Sequence, residues 1–244
     1  MGRYLTILWL AIAVSIGPAG AAESLVINTY AIPPLSTKEG TGFYDAVVRE
    51  AGRRIGHNIT IVWQPERRGI RLANGGEDDG HYPRIASVSE EFRNLIPVPV
   101  PIYRSIFVAI AKRPDVEVKG GWKSLRSYSV GYPMGWKIFE KKDEHFGTSV
   151  PVASPPSLLR MVDRGRIDVA LYEKTAFGLI ATKEGMTHLR ILEPSLNSFD
   201  LHLLLHKKHA SLVPMFAAAL KGMTEDGTLR KLCPPCAESI LGPD

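Results

Sequence analysis

The feature that most constrains this chain is a repeated alternation of short β-type and amphipathic helical segments, punctuated by glycine and proline. Residues 24–30 (SLVINTY) alternate apolar and polar side chains at the period of a strand. Residues 42–55 then set Phe43, Val47, Ala51 and Ile55 on one helical face, and Gly56 stops the run. Residues 58–63 (NITIVW) are β-rich, and 65–73 suit a short helix opened by Pro65 and ended by Gly75-Gly76. A second set follows. Residues 129–132 read as a strand, 136–142 as a helix, and 168–172 (DVALY) as a strand. Ser154 is placed to cap a helix with Pro155 at its first position, running to Gly165, and 173–184 form another helix closed by Gly185. Strand–helix–strand order of this kind predicts an α/β fold of parallel sheets covered by helices on both faces.

Two apolar strands fall between and after these sets, at 105–111 (SIFVAIA) and 199–205 (FDLHLLL). A helix over 211–226 follows, faced by Leu212, Phe216, Leu220 and Met223, with Gly227 at its end. A chain that leaves one set on one strand and returns on another predicts two doubly wound lobes joined by a two-strand hinge. The lobes are expected at 23–111 plus 199–244 and at 112–198, with a ligand cleft between them.

The amino end reads as a secretory leader over 1–22. Arg3 precedes a run of apolar residues from Leu5 to Ile16, and small residues lead to expected cleavage after Ala21 or Ala22. The run is shorter than the roughly 20 apolar residues of a membrane span. A periplasmic, monomeric protein is the expectation. The formal charge of +5 includes Arg3, the one charged residue of the leader, leaving +4 beyond it. Its Lys and Arg are dispersed, which argues against nucleic acid as a partner. The two cysteines form one motif, Cys233-Pro234-Pro235-Cys236. In an oxidising compartment this predicts a disulfide, and its place behind a helix favours a staple over redox catalysis.

Several phrases, in order along residues 24–232, resemble bacterial extracellular solute-binding proteins of family 3, which serve polar amino acid ABC transporters. Tyr30-Ala31-Ile32-Pro33-Pro34-Leu35 with Gly42-Phe43 resembles the exit from the first strand and the "G-F-D" helix start, with Tyr44 inserted before Asp45. The run from Asn74 to Gly80 resembles the "G-x-x-D" entry to the third strand. Ser87 to Arg93 followed by Pro101-Ile102-Tyr103 resembles "S-x-T…R…P-Y". Val130 to Gly135 resembles the opening of the second lobe, and Gly165 to Ala170 its "G-x-x-D-A" strand entry.

The resemblance implies a type II periplasmic-binding fold that closes on an amino-acid-like solute and delivers it to an ABC transporter permease. It also implies a guanidinium for the ligand carboxylate and an acid for its ammonium. Arg93 is the nearest match to the former, one residue further from Ser89 than the pattern has it, which makes Arg84 a rival. Glu173, five positions after Asp168, matches the acid. Tyr30 and Tyr103 stand at expected strand ends. Trp136 opens an expected helix whose N-terminal N–H groups could meet an anion, or whose indole could cover a ligand. The usual first-lobe aromatic is replaced by Pro65-Glu66. Trp63 and Trp122 read as packing residues. His202, His206 and His209 lack the further ligands a metal site needs. No phosphate loop or nucleophile elbow is present, so neither a cofactor nor catalysis is expected. Competing functions are a periplasmic enzyme, either a cleft hydrolase or dehydratase or a thiol oxidoreductase using the cysteine pair, and a sensory subunit on the same fold.

Overall fold

A computed structural model describes residues 23–30 and 32–236. The expected leader over 1–22 lies outside the described residues. The chain opens with β1 (Ser24–Thr29), α1 (Phe43–Arg54), β2 (Asn58–Trp63), α2 (Glu66–Gly75) and β3 (Gly80–Arg84), followed by the short β4 (Leu95–Pro97). The long β5 (Tyr103–Ala111) leads to β6 (Ser129–Pro133), α3 (Lys137–Glu140), β7 (Thr148–Val152), α4 (Pro155–Asp163), β8 (Val169–Glu173) and α5 (Lys174–Glu184). The chain returns on β9 (Arg190–His206) and ends in α6 (Val213–Glu225) and α7 (Thr228–Leu232).

The strand order is β2-β1-β3-β9-β5-β8-β6-β7, with β4 also on β9. Two parallel units result, β2-β1-β3 and β8-β6-β7. They are joined by the antiparallel pair β5 and β9, whose register shifts between Phe107 and Ala109. β9 is one continuous strand serving both units. The sequence shows only its apolar second half, because 193–198 is polar and largely exposed. Residues of both units share a core that includes Ile27, Val47, Leu205 and Phe216 from one and Leu158, Leu159 and Val162 from the other.

Local chemistry explains most boundaries. The Asp45 carboxylate accepts the Gly42 N–H at the start of α1, 2.7 Å away, and Ser154 Oγ accepts the Ser157 N–H at the start of α4. Pro65 is the N-cap of α2, one place earlier than expected, and the left-handed Gly76 closes it. The expected helix over 136–142 is corrected to the four residues of α3, followed by a 3-10 turn (Asp143–His145). So short a helix offers no anion site at its N-terminus, and that role for Trp136 falls. Trp63 is 38% exposed beneath the Lys38 ammonium, which corrects its reading as a packing residue. Cys233 and Cys236 are disulfide-bonded and buried behind α7. No helix among the described residues is long and apolar enough to cross a membrane.

Candidate functional site

In open α/β sheets, ligands bind beyond the carboxyl ends of the parallel strands. In the first unit those ends carry Tyr30, just past β1, and Arg84, the last residue of β3, with Glu66 opening α2 after β2. In the second they carry Glu173 at the end of β8 and Trp136 beyond β6. β1 lies between two parallel neighbours in a sheet against which α1 and α2 pack, and its polar Asn28 and Thr29 are fully buried.

Asn28 begins a chain of hydrogen bonds that ends on Arg84. Its amide donates to Gly69 O at 2.9 Å and to Asp78 Oδ2 at 2.6 Å, and its Oδ1 bonds to His81 Nδ1. Gly69 permits the close approach of α2, since a Cβ there would stand 2.6 Å from Asn28 Oδ1. His81 Nε2 accepts the Arg84 Nε–H at 3.0 Å. The imidazole is therefore neutral with its proton on Nδ1, and burial and the Arg84 charge hold its pKa well below the ordinary value. Arg84 is 9% exposed, and its Cζ sits 4.4 Å over the Tyr30 ring. Its Nη1 donates to Glu66 Oε1 at 3.0 Å, while the Glu66 side chain is 57% exposed. The guanidinium is thus fixed through Nε and Nη1.

The second group centres on Glu173, which is 2% exposed. Its Oε2 accepts the Ala176 N–H at 2.7 Å and so caps α5, and its Oε1 accepts the Tyr103 hydroxyl at 2.9 Å. Backbone N–H groups of Thr175 and Ile106 also turn toward it. Burial nevertheless raises its pKa above the usual carboxylate value. Tyr103 crosses edge-on to Tyr44 at 5.1 Å and lies 2.6 Å from Thr175 Oγ1. Trp136 stacks on Tyr172 at 5.2 Å and on Phe139, within its own unit. Tyr44 is in electrostatic reach of Tyr30, Tyr103, Tyr172 and Glu173, so the two groups adjoin.

The structure brings Tyr30 and Arg84 together, and separately Tyr103 and Glu173. It does not bring Arg93 to either group. Arg93 is exposed in the turn before β4, on a shallow surface hollow with Ser89, Glu90, Leu95, Ile96 and Pro97. Arg93, expected from the resemblance to supply the clamp, is an exposed surface cation and lacks the desolvated setting of Arg84. Asn28 and His81 join this group through hydrogen bonds and were not singled out in the sequence, while Glu66, noted there only as replacing an aromatic, pairs with Arg84. The signals were a polar residue inside an apolar strand, and an acid where an aromatic is usual. Among the described residues, no group of three or more His, Cys, Asp or Glu could hold a metal ion.

Comparison of the architecture with solved structures gives a consistent result. A Bacillus subtilis protein aligns with a TM-score of 0.74 at 21% identity, covering 89% of this chain and 91% of its own. The L-cystine solute receptor of Neisseria gonorrhoeae, in its unliganded open conformation, aligns with a TM-score of 0.69 at 19% identity over 91% and 96%. The chain has the two-lobed periplasmic-binding-protein fold. A histidine kinase sensor domain described as similar to periplasmic binding proteins shares it, with a TM-score of 0.69, 16% identity, and coverage of 90% and 98%. No protein-family model matches the sequence, and no curated protein matches it. In periplasmic-binding-protein terms, the Arg84 group belongs to the first lobe, and the Glu173 group to the second lobe and the crossing strand β5.

Proposed function

We propose that this protein is a periplasmic receptor that closes two lobes on a small polar solute bearing a carboxylate and hands it to an ABC transporter permease. The observation that carries this reading is Arg84: a buried guanidinium at a strand end, fixed on two sides and set over an aromatic ring. A planar cation held in that way can pair two oxygens of a carboxylate at little further ordering cost. Tyr30 supports one side of it, while Tyr103, Trp136 and Glu173 shape the facing wall. Hinge motion about β5 and β9, between lobes at 23–111 with 199–244 and at 112–198, is the closing movement this fold permits. The cystine receptor among the similar folds places amino acids among the first solutes to screen. A monomer that acts without a cofactor and without catalytic turnover is part of the proposal.

A thermal-shift screen of the purified protein over carboxylates and amino acids, followed by calorimetry, tests it. A solute bound by the folded state alone raises Tm, by about 2.7 kcal/mol of stabilisation at a hundred times Kd. If no small carboxylate or amino acid shifts Tm, the receptor reading fails. The likeness to a sensor domain favours one second reading, in which closure signals to a membrane partner instead of feeding a permease. Solute uptake by a deletion strain separates the two.

A further inference from the structure

Resting on that receptor reading, we infer that the solute is a small carboxylate that carries no ammonium group. The argument concerns what the site can offer a zwitterion. A carboxylate needs a cation, and Arg84 supplies it. An ammonium taken into the same desolvated cleft needs an acid with acceptor capacity to spare, because an unpaired buried charge is costly.

The acids around the strand ends are already committed. A carboxylate has about four lone-pair sites. Those of Glu173 face the Tyr103 hydroxyl, the Ala176 N–H that begins α5, and the N–H groups of Thr175 and Ile106. Burial also raises the Glu173 pKa above the usual carboxylate value. Asp45 is equally filled: Oδ1 accepts Ser36 and Tyr82 hydroxyls, and Oδ2 accepts the N–H groups of Thr37 and Gly42. Glu140, beside Trp136, accepts the Gly135 N–H and the Lys137 ammonium.

Glu66 remains, and it is Arg84's own counter-ion. Its exposed side chain reaches Arg84 through one oxygen only. An incoming carboxylate can displace that oxygen, leaving Glu66 in water at small cost. Glu66 thus acts as a competitor for anions, and its exposure makes it a poor anchor for an ammonium. Tyr30 lies beneath the Arg84 guanidinium, and Tyr44 is in electrostatic reach of both Tyr30 and Glu173.

Matched pairs that differ only by the 2-amino group decide it: propionate against L-alanine, succinate against L-aspartate, and glutarate against L-glutamate, each titrated into the protein by calorimetry. The expected result is that the tightest-binding carboxylate binds at least 10-fold more tightly than its amino counterpart. Glu66→Gln, which removes the competing counter-ion, is expected to tighten that carboxylate at least 3-fold. An amino acid that binds as tightly as its partner overturns the inference. So does amino-acid binding that Glu66→Gln abolishes, since the zwitterion would then be bridging Arg84 and Glu66. If neither series binds at all, it is the receptor reading for carboxylates that fails, and this inference with it.

Discussion

Arg84 and His81 lie three residues apart on one strand, yet the Arg84 Nε–H donates to His81 Nε2 at 3.0 Å. On a regular strand an odd separation puts two side chains on opposite faces. Here His81 pairs with Leu204 and Arg84 with His202, so three steps on β3 match two on β9. The extra residue is a β-bulge, and it re-aims Arg84 onto the face that carries His81. A polar chain from Asp78 through Asn28 and His81 thereby reaches the strand end.

The first prediction separates the two candidate clamps. Arg84→Gln is expected to cost on the order of 2–5 kcal/mol of solute binding, because the contact is charge-assisted and desolvated. That corresponds to a weakening of roughly 30-fold or more. Arg93→Gln, at an exposed turn, is expected to leave Kd within about twofold. Calorimetry with the best solute checks both, and a loss confined to Arg93→Gln would return the clamp to the turn before β4.

The second concerns pH. The charged and polar groups facing His81 are Arg84, Asn28 and Tyr30, and its folded pKa lies well below the ordinary 6.5. The unfolded chain therefore takes up a proton that the folded chain refuses. The stability His81 contributes is complete above pH 6.5 and is lost as pH falls below it toward the folded value. Glu173, raised by burial, works with the opposite sign at lower pH, and a comparison between variants cancels it. The stability of the native protein minus that of His81→Gln is expected to shrink between pH 8 and 5, by at most about 1.4 kcal/mol per pH unit. Urea melts at four pH values measure this, and a constant difference would mean that His81 does not titrate in this way.

A third prediction tests the fold at the cleft-side start of α1. Asp45 is fully buried and accepts four hydrogen bonds, from Ser36, Thr37, Gly42 and Tyr82. Asp45→Asn turns an NH2 toward donors and leaves some of them unmet. A loss of about 3–5 kcal/mol of unfolding free energy is expected in denaturant melts.

Much of the fold was legible because each element carries local signals. The apolar spacing of Phe43, Val47 and Ala51, the Ser154-Pro155 cap, and the left-handed Gly76, Gly165 and Gly185 marked helices that the structure contains. The first half of β9 and the whole of β7 were not legible. They are polar or proline-containing and lie partly exposed, so no apolar period marks them. The site was less legible than the fold. Tyr30, Arg84, Tyr103, Trp136 and Glu173 were singled out, but which of them meet depends on the bulge in β3. Glu173 occupies the expected place at the end of β8, yet its oxygens are taken by a helix start and a tyrosine from another strand. Spacing along one segment holds no record of such long-range partners.

The last prediction concerns the cysteines. A reactive thiol of the C-x-x-C type needs exposure and a setting that stabilises its thiolate, such as the N-terminus of a helix. Cys233 follows α7 instead, two prolines separate it from Cys236, and the two residues are 7% and 0% exposed. The 3-10 turn Pro234–Cys236 packs against α5 and α7, so the disulfide fastens the end of the described chain to the body of the protein. On chain-entropy grounds, closing so short a loop contributes about 2 kcal/mol. The Cys233→Ser, Cys236→Ser double variant is accordingly expected to fold, to lose about that much stability, and to keep its solute affinity. The native protein is expected to show no insulin reduction above the rate with dithiothreitol alone. Insulin turbidity assays and denaturant melts check the two halves separately. Turnover near that of a thioredoxin, abolished by Cys233→Ser, would replace the staple with a redox centre and move the protein into a different functional class.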